Sequence, residues 1–535
     1  MPSDRPGRVW WRDGTLYQIY PRSYQDSNGD GIGDLPGLIA RLDHLQWLGV
    51  EGIWLDPITV SPDDDWGYDV ADFCDVNPPL GTLADAERLV EEAGRRGMRV
   101  VLDLVPNHTS DRHPWFVDAR SSRDAAHRDW YVWADPAPDG GPPNNWVNTF
   151  HPGKPAWTLD ETTGQYYLHN FLPSQPDLNW WNDAVRDEFD RILRFWFDRG
   201  VAGFRIDVCH MVVKDRELRD NPPATPDDHW YVQLRGQRQT YNAGRPEVHD
   251  VIRRWRAIAE EYEPKRILIG ETYVFDPELY TSFYGADDEL HMAFNFMFLH
   301  APFDAAELRS IVERTEAMLP EFAWPVWTAG NHDNRRFPTR WADGDPAKAR
   351  LAMLLLLTLR GTPFVYYGDE IAMPDTDVPE ARILDPVGKF HGKRLGRDPE
   401  RTPMQWSPDP GAGFSEPGVE PWLPYGDPRG WNVADQRREP DSMLSLTRDL
   451  IGLRDAIPDL RRGDYRTDEQ SDATRWVFHR GERVVVALNF SDDPTTCTVA
   501  PGEIRVCTDR VRDDERVERD LVLAPWTGAV VWLDG

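Results

Sequence analysis

The chain has 535 residues, which is enough for more than one domain or for one large barrel with additions. Its 91 acidic and 60 basic residues give a net charge of −31. A chain of that charge repels nucleic-acid phosphates and anionic lipids, so we expect neither nucleic acid nor membrane as a partner.

The cysteines and apolar segments bear on the compartment. Cys74, Cys209, Cys497 and Cys507 form no CxxC pair and no metal-ligand spacing, which predicts free thiols in a reducing compartment. The segment "MPSDRPGRVWWRDG" lacks the apolar core of a signal peptide. The run "LAMLLLLTL" at 351–359 is too short to span a bilayer and predicts a buried helix. Together these features predict a cytoplasmic protein.

Short β-like runs alternate with helical patterns along most of the chain. Eight such runs occur: "TLYQIYP" (15–21), "GIWLDP" (52–57), "RVVLDLVPNH" (99–108), "GFRIDV" (203–208), "RILIGET" (266–272), "AFNFMF" (293–298), "PVWTAGNHD" (325–333) and "TPFVYYGDE" (362–370). Apolar runs that end in polar residues are typical of parallel strands buried on both faces. The pattern predicts an α/β fold, a (β/α)₈ TIM barrel whose active site lies at the C-terminal ends of the strands.

The first predicted strand is followed by an acidic, glycine-rich loop, "DSNGDGIGDLPG". Asp26, Asn28, Asp30 and Asp34 supply side-chain oxygens, and Ile32 supplies a backbone carbonyl. Alternating oxygen donors of this kind suit Ca²⁺ or Mg²⁺, although Gly37 stands where an EF-hand has its bidentate Glu. We expect a structural ion here. The alternative is an acidic turn that binds no ion.

Two segments depart from the alternating pattern. Residues 109–180 form a long Pro-, Trp- and Asn-rich excursion after the third strand, and residues 461–535 read as antiparallel β-strands. We therefore predict a barrel over 1–108 and 181–460, an inserted subdomain over 109–180, and a C-terminal β-sandwich domain over 461–535. The Gly/Pro-rich stretch 386–430 is expected to form long loops over the barrel mouth.

Polar side chains follow four of the predicted strands. They are Asp103, Asn107 and His108 on the third strand, Arg205 and Asp207 on the fourth, Glu271 on the fifth, and His332 and Asp333 on the seventh. A single carboxylate at a strand end is often structural, but four such ends in one barrel favour a catalytic site.

The chemistry expected of these groups depends on their neighbours. Arg205 and Asp207 lie two apart on a strand and so share a face, and the guanidinium is expected to keep Asp207 ionised. Glu271 follows apolar residues and has no adjacent cation in the sequence, which favours a protonated carboxyl. One ionised and one protonated carboxyl form the arrangement of a retaining glycosidase.

These segments resemble the α-amylase family of glycoside hydrolases, and within it the α-glucosidase and oligo-1,6-glucosidase branch. The matching segments are "DLVPNH", "GFRIDVCH", "GETY", "GNHDN", "QPDLNW" (175–180), "DWGYDV" (65–70) and "RTPMQW" (401–406). The resemblance covers nearly the whole chain. It implies a retaining, exo-acting α-glucosidase that acts on short oligosaccharides such as maltose, with transglucosylation in competition with hydrolysis.

The resemblance also implies roles for individual residues. Asp207 would be the nucleophile, Glu271 the acid/base, and Asp333 would hold the distorted sugar ring. Substrate-binding roles would fall to Asp65, Tyr68, His108, Arg205, His332 and Arg401. Asp65 and Arg401 would close the pocket behind the non-reducing end, unless they form a surface ion pair. The loop at 26–34 would bind one structural Ca²⁺ or Mg²⁺, and catalysis itself would need no cofactor.

The glycosidic linkage stays open at this stage. In this branch a Val after the nucleophile, here Val208, goes with α-1,6 preference, whereas the segment "CHMVVKDRELRDNPP" looks more like α-1,4-preferring enzymes. Three rivals remain: a trehalose synthase acting on maltose, a sucrose-active transferase, and a non-catalytic transporter subunit or scaffold. The three carboxylates argue against the last of these. The sequence does not indicate the oligomeric state.

Overall fold

The computed structural model describes residues 7–534. Its strands, in chain order, are β1 (Leu16–Ile19), β2 (Gly52–Leu55), β3 (Thr59–Val60), β4 (Asp72–Val76), β5 (Arg99–Leu104), β6 (Trp133–Ala134), β7 (Trp157–Asp160), β8 (Gln165–Leu168), β9 (Gly203–Ile206), β10 (Ile267–Gly270), β11 (Met292–Ala293), β12 (Val326–Thr328), β13 (Thr362–Tyr366), β14 (Tyr465–Thr467), β15 (Arg475–Arg480), β16 (Val484–Asn489), β17 (Thr495–Thr498), β18 (Gly502–Cys507), β19 (Arg516–Val517), β20 (Asp520–Leu523) and β21 (Gly528–Leu533).

The helices surround the first group of strands and fill the connections between them. In chain order they are α1 (Trp10–Asp13), α2 (Leu35–Leu48), α3 (Leu83–Arg95), α4 (Pro114–Ala119), α5 (Asp183–Asp198), α6 (Trp230–Arg235), α7 (Val248–Glu260), α8 (Pro277–Ser282), α9 (Phe296–His300), α10 (Ala305–Met318), α11 (Phe337–Arg340), α12 (Pro346–Thr358), α13 (Pro386–His391), α14 (Val433–Gln436), α15 (Met443–Ala456) and α16 (Pro458–Arg462).

Eight parallel strands form the central barrel. They are hydrogen-bonded in the order β11-β10-β9-β5-β2-β1-β13-β12. A parallel bridge between Phe294 and Val326 joins the two ends of this order. Most of the strand residues are buried because helices cover the outer face and side chains fill the interior. The predicted (β/α)₈ barrel is confirmed.

One predicted strand is much shorter than the sequence pattern indicated. The run at 293–298 was expected to be extended, but β11 ends at Ala293 and α9 begins at Phe296. Asn295 is the reason, because its side chain accepts a hydrogen bond from the backbone N–H of Phe298 and so caps the helix. An apolar run of this length does not distinguish a strand from a buried helix.

The apolar run at 351–359 lies in α12 and its C-terminal end. Every residue from Leu351 to Leu359 is buried. Arg350 donates to the carbonyl of Thr508, and Arg480 donates to the carbonyl of Leu460, so the helical layer is tied to the C-terminal strands. The prediction of a buried helix is confirmed. Across residues 7–534, no helix has the length and apolar character needed to cross a bilayer.

Two further β-structures lie outside the barrel. Strands β6, β8 and β7 form a small antiparallel sheet within the excursion after β5. After α16, strands β14, β15, β16, β21, β18 and β19 form an antiparallel sheet, which confirms the predicted C-terminal β domain, and β17 pairs with β20. The residue bounds of the three units remain predictions. All four cysteines are free thiols.

Candidate active site

A cavity of about 570 Å³ opens at the C-terminal ends of the barrel strands. Six of the nine residues predicted to act in catalysis or sugar binding line it: Asp65, Tyr68, His108, Asp207, Glu271 and Asp333. The other three, Arg205, His332 and Arg401, lie directly behind and bond to the lining residues. The fold therefore brings together side chains that are far apart in the sequence.

Arg205 is the buried cation at the base of this cavity. Its Nη1 lies 2.7 Å from Oδ1 of Asp207 and 2.8 Å from Oδ1 of Asp103, and its Nη2 lies 2.8 Å from Oε2 of Glu271. The expected contact with Asp207 is present. The expectation that Glu271 has no adjacent cation is wrong, because the strand neighbouring β10 supplies one that the local sequence does not show.

The sharing of Arg205 changes the expected charge of Asp207. Burial and the neighbouring Glu271 raise the pKa of the Asp207 carboxyl well above its ordinary value, and Arg205 only partly offsets them. Burial also raises the pKa of Asp103 to about 7. One guanidinium thus serves three carboxyls, so the prediction that Arg205 would keep the pKa of Asp207 low is wrong.

The turn after Asp207 wraps around Glu271. Val208 has φ 35° and ψ 44°, a left-handed conformation that is rare for a β-branched residue. Its backbone N–H donates to Oε2 of Glu271 at 2.8 Å, and the N–H of Cys209 donates to the Glu271 carbonyl at 3.2 Å. The turn therefore fixes Glu271 through its side chain and its backbone. Strain of this kind is often retained at functional sites.

Asp333 also lines the cavity and lies in a cationic setting. Its Oδ1 accepts from Arg401 at 2.7 Å and from Arg397 at 3.1 Å, and Oδ2 lies 3.2 Å from Nε2 of His332. Burial alone would raise the pKa of Asp333, but His332 and the two arginines outweigh it and leave the pKa well below the ordinary value. Asp333 is therefore the firmly ionised carboxylate of the site.

The cation that pairs with Asp65 is Arg397. The Nη2 atom of Arg397 lies 2.7 Å from both Asp65 and Asp385, while its Nη1 reaches Asp333. Arg401, which was expected to close the pocket together with Asp65, bonds Asp333 and the carbonyl of His332, so the alternative of a surface ion pair between Asp65 and Arg401 is wrong. Arg397 was not among the residues predicted from the sequence, although it stands four positions before Arg401, in "GRDPERTPMQW".

The remaining predicted sugar-binding residues form a hydrogen-bonded cluster beside Asp65. The ring of Tyr68 stacks on that of His332, with centroids 5.3 Å apart. His108 Nε2 lies 3.0 Å from the Tyr68 carbonyl and 3.1 Å from the side-chain nitrogen of Gln175, which also donates to Asp65. Gln175 begins the "QPDLNW" segment, and its contacts explain why that segment belongs to the site.

The loop at 26–34 lies outside the cavity. Asp26 accepts from the backbone N–H groups of Asn28, Gly29 and Gly31, and Asp34 caps α2 by accepting from Gly37. In residues 7–534, no group of three or more His, Cys, Asp or Glu side chains is arranged to hold a metal ion.

The same loop is tightly joined to the segment beyond "RTPMQW". Gly31 has φ 86°, and a Cβ there would lie 2.1 Å from the carbonyl oxygen of Glu420. The carbonyl of Gly31 accepts from Trp422, and Asp26 accepts from Ser415. Any other side chain at position 31 would push the two segments apart, so glycine is required for this close contact.

Comparison with known proteins agrees with this geometry. The family described as "Alpha amylase, catalytic domain" matches residues 18–463, and a domain of unknown function matches residues 460–530.

Individual relatives match over nearly their full length. A probable alpha-glucosidase of Rhizobium meliloti is 42% identical over 516 residues, which span 92% of this chain and 91% of the relative. An oligo-1,6-glucosidase of Heyndrickxia coagulans is 37% identical, covering 90% of this chain and 92% of the relative. The crystal structure of the alpha-glucosyl transfer enzyme XgtA superposes with a TM-score of 0.90 at 38% identity, covering 98% of this chain and 99% of that one.

Proposed function

The chain belongs to the α-amylase family of glycoside hydrolases, and on that basis we propose that it is a retaining, exo-acting α-glucosidase that hydrolyses the terminal bond of short oligosaccharides such as maltose. The observation that carries the proposal is the cavity itself. Asp207 and Glu271 share one guanidinium at its base, and the paired charges of Asp65, Arg397 and Asp333 stand together beside them.

The proposed reaction has two steps. Glu271 donates a proton to the glycosidic oxygen while Asp207 attacks C1, so the bond to the leaving group breaks and a glycosyl ester of Asp207 forms. Ionised Glu271 then takes a proton from water and the water oxygen attacks C1, so the ester bond to Asp207 breaks, the Asp207 carboxylate is restored, and glucose leaves with its anomeric configuration retained. Oε2 of Glu271 already accepts from Val208 and Arg205, so Oε1 is the oxygen that carries the transferable proton.

Exo-action follows from the closed end of the cavity. Asp65 is bound by Arg397 and Gln175, while Asp333 is bound by Arg397 and Arg401. These groups would hydrogen-bond the hydroxyls of the terminal glucose and leave no path for a further sugar unit beyond it. Only one residue would then be removed from the non-reducing end at a time.

A second candidate is an oligo-1,6-glucosidase that cleaves isomaltose. Val208 follows the proposed nucleophile and lines the cavity, so its side chain borders the sugar beyond the scissile bond. One such side chain changes selectivity by about 1–3 kcal/mol, which is enough to change the preferred linkage but not the reaction.

Product analysis on maltose, isomaltose and sucrose over a time course tests the proposal. Glucose released fastest from maltose is expected, and trisaccharides beside it would add transglucosylation. Faster cleavage of isomaltose would favour the second candidate. Trehalose formed from maltose, turnover confined to sucrose, or no turnover of any of the three would contradict the α-glucosidase proposal.

Replacement of Arg397 by Lys tests the closed end of the cavity. Lysine keeps the charge but cannot reach three carboxylates with one planar group, so Asp65 and Asp333 would lose their common partner. We expect kcat/KM on maltose to fall about a hundredfold, because small displacements of positioning groups have effects of that size. Arg429→Lys, at an exposed ion pair with Asp427, is the control. An unchanged kcat/KM would exclude a role for Arg397 in holding the sugar.

We also propose that Asp26, Asn28, Asp30, Asp34 and the carbonyl of Ile32 hold a structural Ca²⁺ or Mg²⁺. Their oxygens suit a hard cation, and the ligands include an amide and a carbonyl as well as carboxylates. The loop is tied to the segment at 414–422, so an ion there would stabilise the barrel mouth without entering the chemistry.

Chelation tests this ion. Ca²⁺ added to chelator-treated protein is expected to raise Tm by on the order of 5 °C, as expected for a ligand that binds only the folded state. Asp30→Ala should abolish the rise, whereas Asp124→Ala, at an exposed position elsewhere, should keep it. The same Tm with and without Ca²⁺ or Mg²⁺ would show that the loop's hydrogen bonds suffice.

A further inference from the structure

The outer part of the catalytic cavity is lined by four arginines, Arg235, Arg335, Arg340 and Arg394. Within residues 7–534, no carboxylate lies within ion-pair distance of Arg235, Arg340 or Arg394. Arg335 has only long contacts, 3.6 Å to Asp375 and 3.9 Å to Glu400. Unpaired cations are unexpected in a chain with 91 acidic residues.

The hydrogen bonds of these arginines go to neutral acceptors. Arg340 donates to the carbonyl of Ala329 at 2.6 Å, and Arg235 donates to the side-chain oxygens of Gln239 and Tyr231. Other arginines that bond to backbone carbonyls, such as Arg336 and Arg454, are fully buried and do not line the cavity. A structural role explains Arg336 and Arg454, because both are fully buried. It does not explain the arginines that line the cavity, whose charge remains available to a ligand.

Arg235 and Arg340 lie near Tyr273, which is on the segment of chain that carries Glu271. Tyr273 follows Glu271 by two residues, its ring lies 4.8 Å from that of Tyr231, and its hydroxyl is 2.5 Å from Nε2 of His300. Burial and the charge of Arg340 lower the pKa of His300 to about 3. The histidine is therefore neutral near pH 7, and the arginines supply the positive charge beside Tyr273.

This side of the cavity is where the leaving group must lie. Glu271 is the proposed proton donor, so the glycosidic oxygen and the group beyond it lie next to it. Arg397 and Arg401, by contrast, are already paired with Asp65 and Asp333. Among the described residues, Arg235 and Arg340 have no carboxylate partner and lie near Tyr273, so they border the part of the cavity that would receive the aglycone.

We propose that the enzyme acts preferentially on α-glucosides whose aglycone carries an anionic group, a carboxylate or a phosphate. This rests on the proposed α-glucosidase activity and adds a substrate class to it. Guanidinium groups form strong, charge-assisted hydrogen bonds with both anions. Arg235 and Arg340 would bind the anion next to the scissile bond, and Arg335 and Arg394 would face it from the rim.

The test compares maltobionate with maltitol. Both carry glucose in the same α-1,4 linkage to an open six-carbon chain. Maltobionate has a carboxylate at the end of that chain where maltitol has a CH₂OH group. We expect kcat/KM to be about tenfold or more higher for maltobionate, since one charge-assisted bond supplies a difference of that size. The preference should weaken as salt is raised, because salt screens half-exposed charges.

Variants connect the preference to the arginines. Arg235→Gln and Arg340→Gln are each expected to reduce the maltobionate-to-maltitol ratio several-fold, whereas Arg516→Gln, at an exposed position on β19, should leave the ratio as in the wild type. The salt series on wild-type protein is informative even if a variant fails to fold. A ratio near one in the wild type, or a ratio that neither variant changes, would overturn the proposal.

Two further arms separate the possible failures. Maltose with a phosphate on O6 of its reducing glucose distinguishes the anions: faster cleavage of it than of maltobionate assigns the site to phosphate, and the reverse assigns it to carboxylate. Hydrolysis of maltose without any preference for either anion would overturn this inference alone. Failure to hydrolyse maltose, maltitol and both anions would instead overturn the proposed function.

Discussion

Asp207→Asn is expected to remove nearly all turnover of maltose while the protein stays folded. An amide oxygen does not form a glycosyl ester that water then cleaves, so kcat should fall by about four orders of magnitude or more, as when a covalent nucleophile is removed elsewhere. Stability should not fall. The raised pKa of Asp207 shows that the ionised form is disfavoured where it is buried, so a neutral isostere removes repulsion from Glu271 and Asp103.

The measurement is kcat on maltose together with Tm for the wild type and the variant. Asp183→Asn, at an exposed carboxylate at the start of α5, is the matched control and should match the wild type in both. A variant with an equal or higher Tm and no activity supports the assignment. Substantial activity in Asp207→Asn would exclude Asp207 as the nucleophile.

Glu271→Gln is expected to have an effect that depends on the leaving group. A sugar alkoxide is a poor leaving group and needs the proton, so kcat/KM on maltose should fall by about 10³–10⁴-fold. The leaving group of 4-nitrophenyl α-glucoside departs without protonation, so bond cleavage on that substrate should be affected far less. Turnover of the aryl glucoside by the variant would then be limited by hydrolysis of the glycosyl ester, because that is the step in which Glu271 acts as the base in the wild type.

Azide provides a second readout for this variant. It is a nucleophile that needs no general base, so adding azide to Glu271→Gln should speed turnover of the aryl glucoside and give α-glucosyl azide. Glu278→Gln, at an exposed position on α8, is the control: its turnover of both substrates, with and without azide, should equal that of the wild type. Equal losses on maltose and on the aryl glucoside, with no azide effect, would contradict the acid/base role.

The local sequence predicted the barrel and the positions of the proposed catalytic residues. Parallel strands buried on both faces read as apolar runs, and the polar residues that end them lie at one end of the barrel. Arg205 and Asp207 share a face because side chains alternate along a strand. The distinction between strand and helix at 293–298 was missed because it rests on the Asn295 side chain, which caps α9.

The charge partners were decided by the tertiary structure. Asp65 and Arg397 are 332 residues apart in the chain, so no local pattern joins them. Glu271 gains its cation from β9, and the raised pKa of Asp207 follows from burial and from the neighbouring carboxyls that share the same guanidinium.

The four arginines of the outer cavity stand at positions 235, 335, 340 and 394, which converge only when the connections fold over the barrel mouth. Sequence periodicity sets the face on which a side chain lies, because that depends on neighbouring residues of the same strand or helix. Electrostatic interaction depends on distance and burial, which are set by contacts between segments far apart in the chain. The reaction class was therefore predictable from the sequence, and the charge that selects the substrate was not.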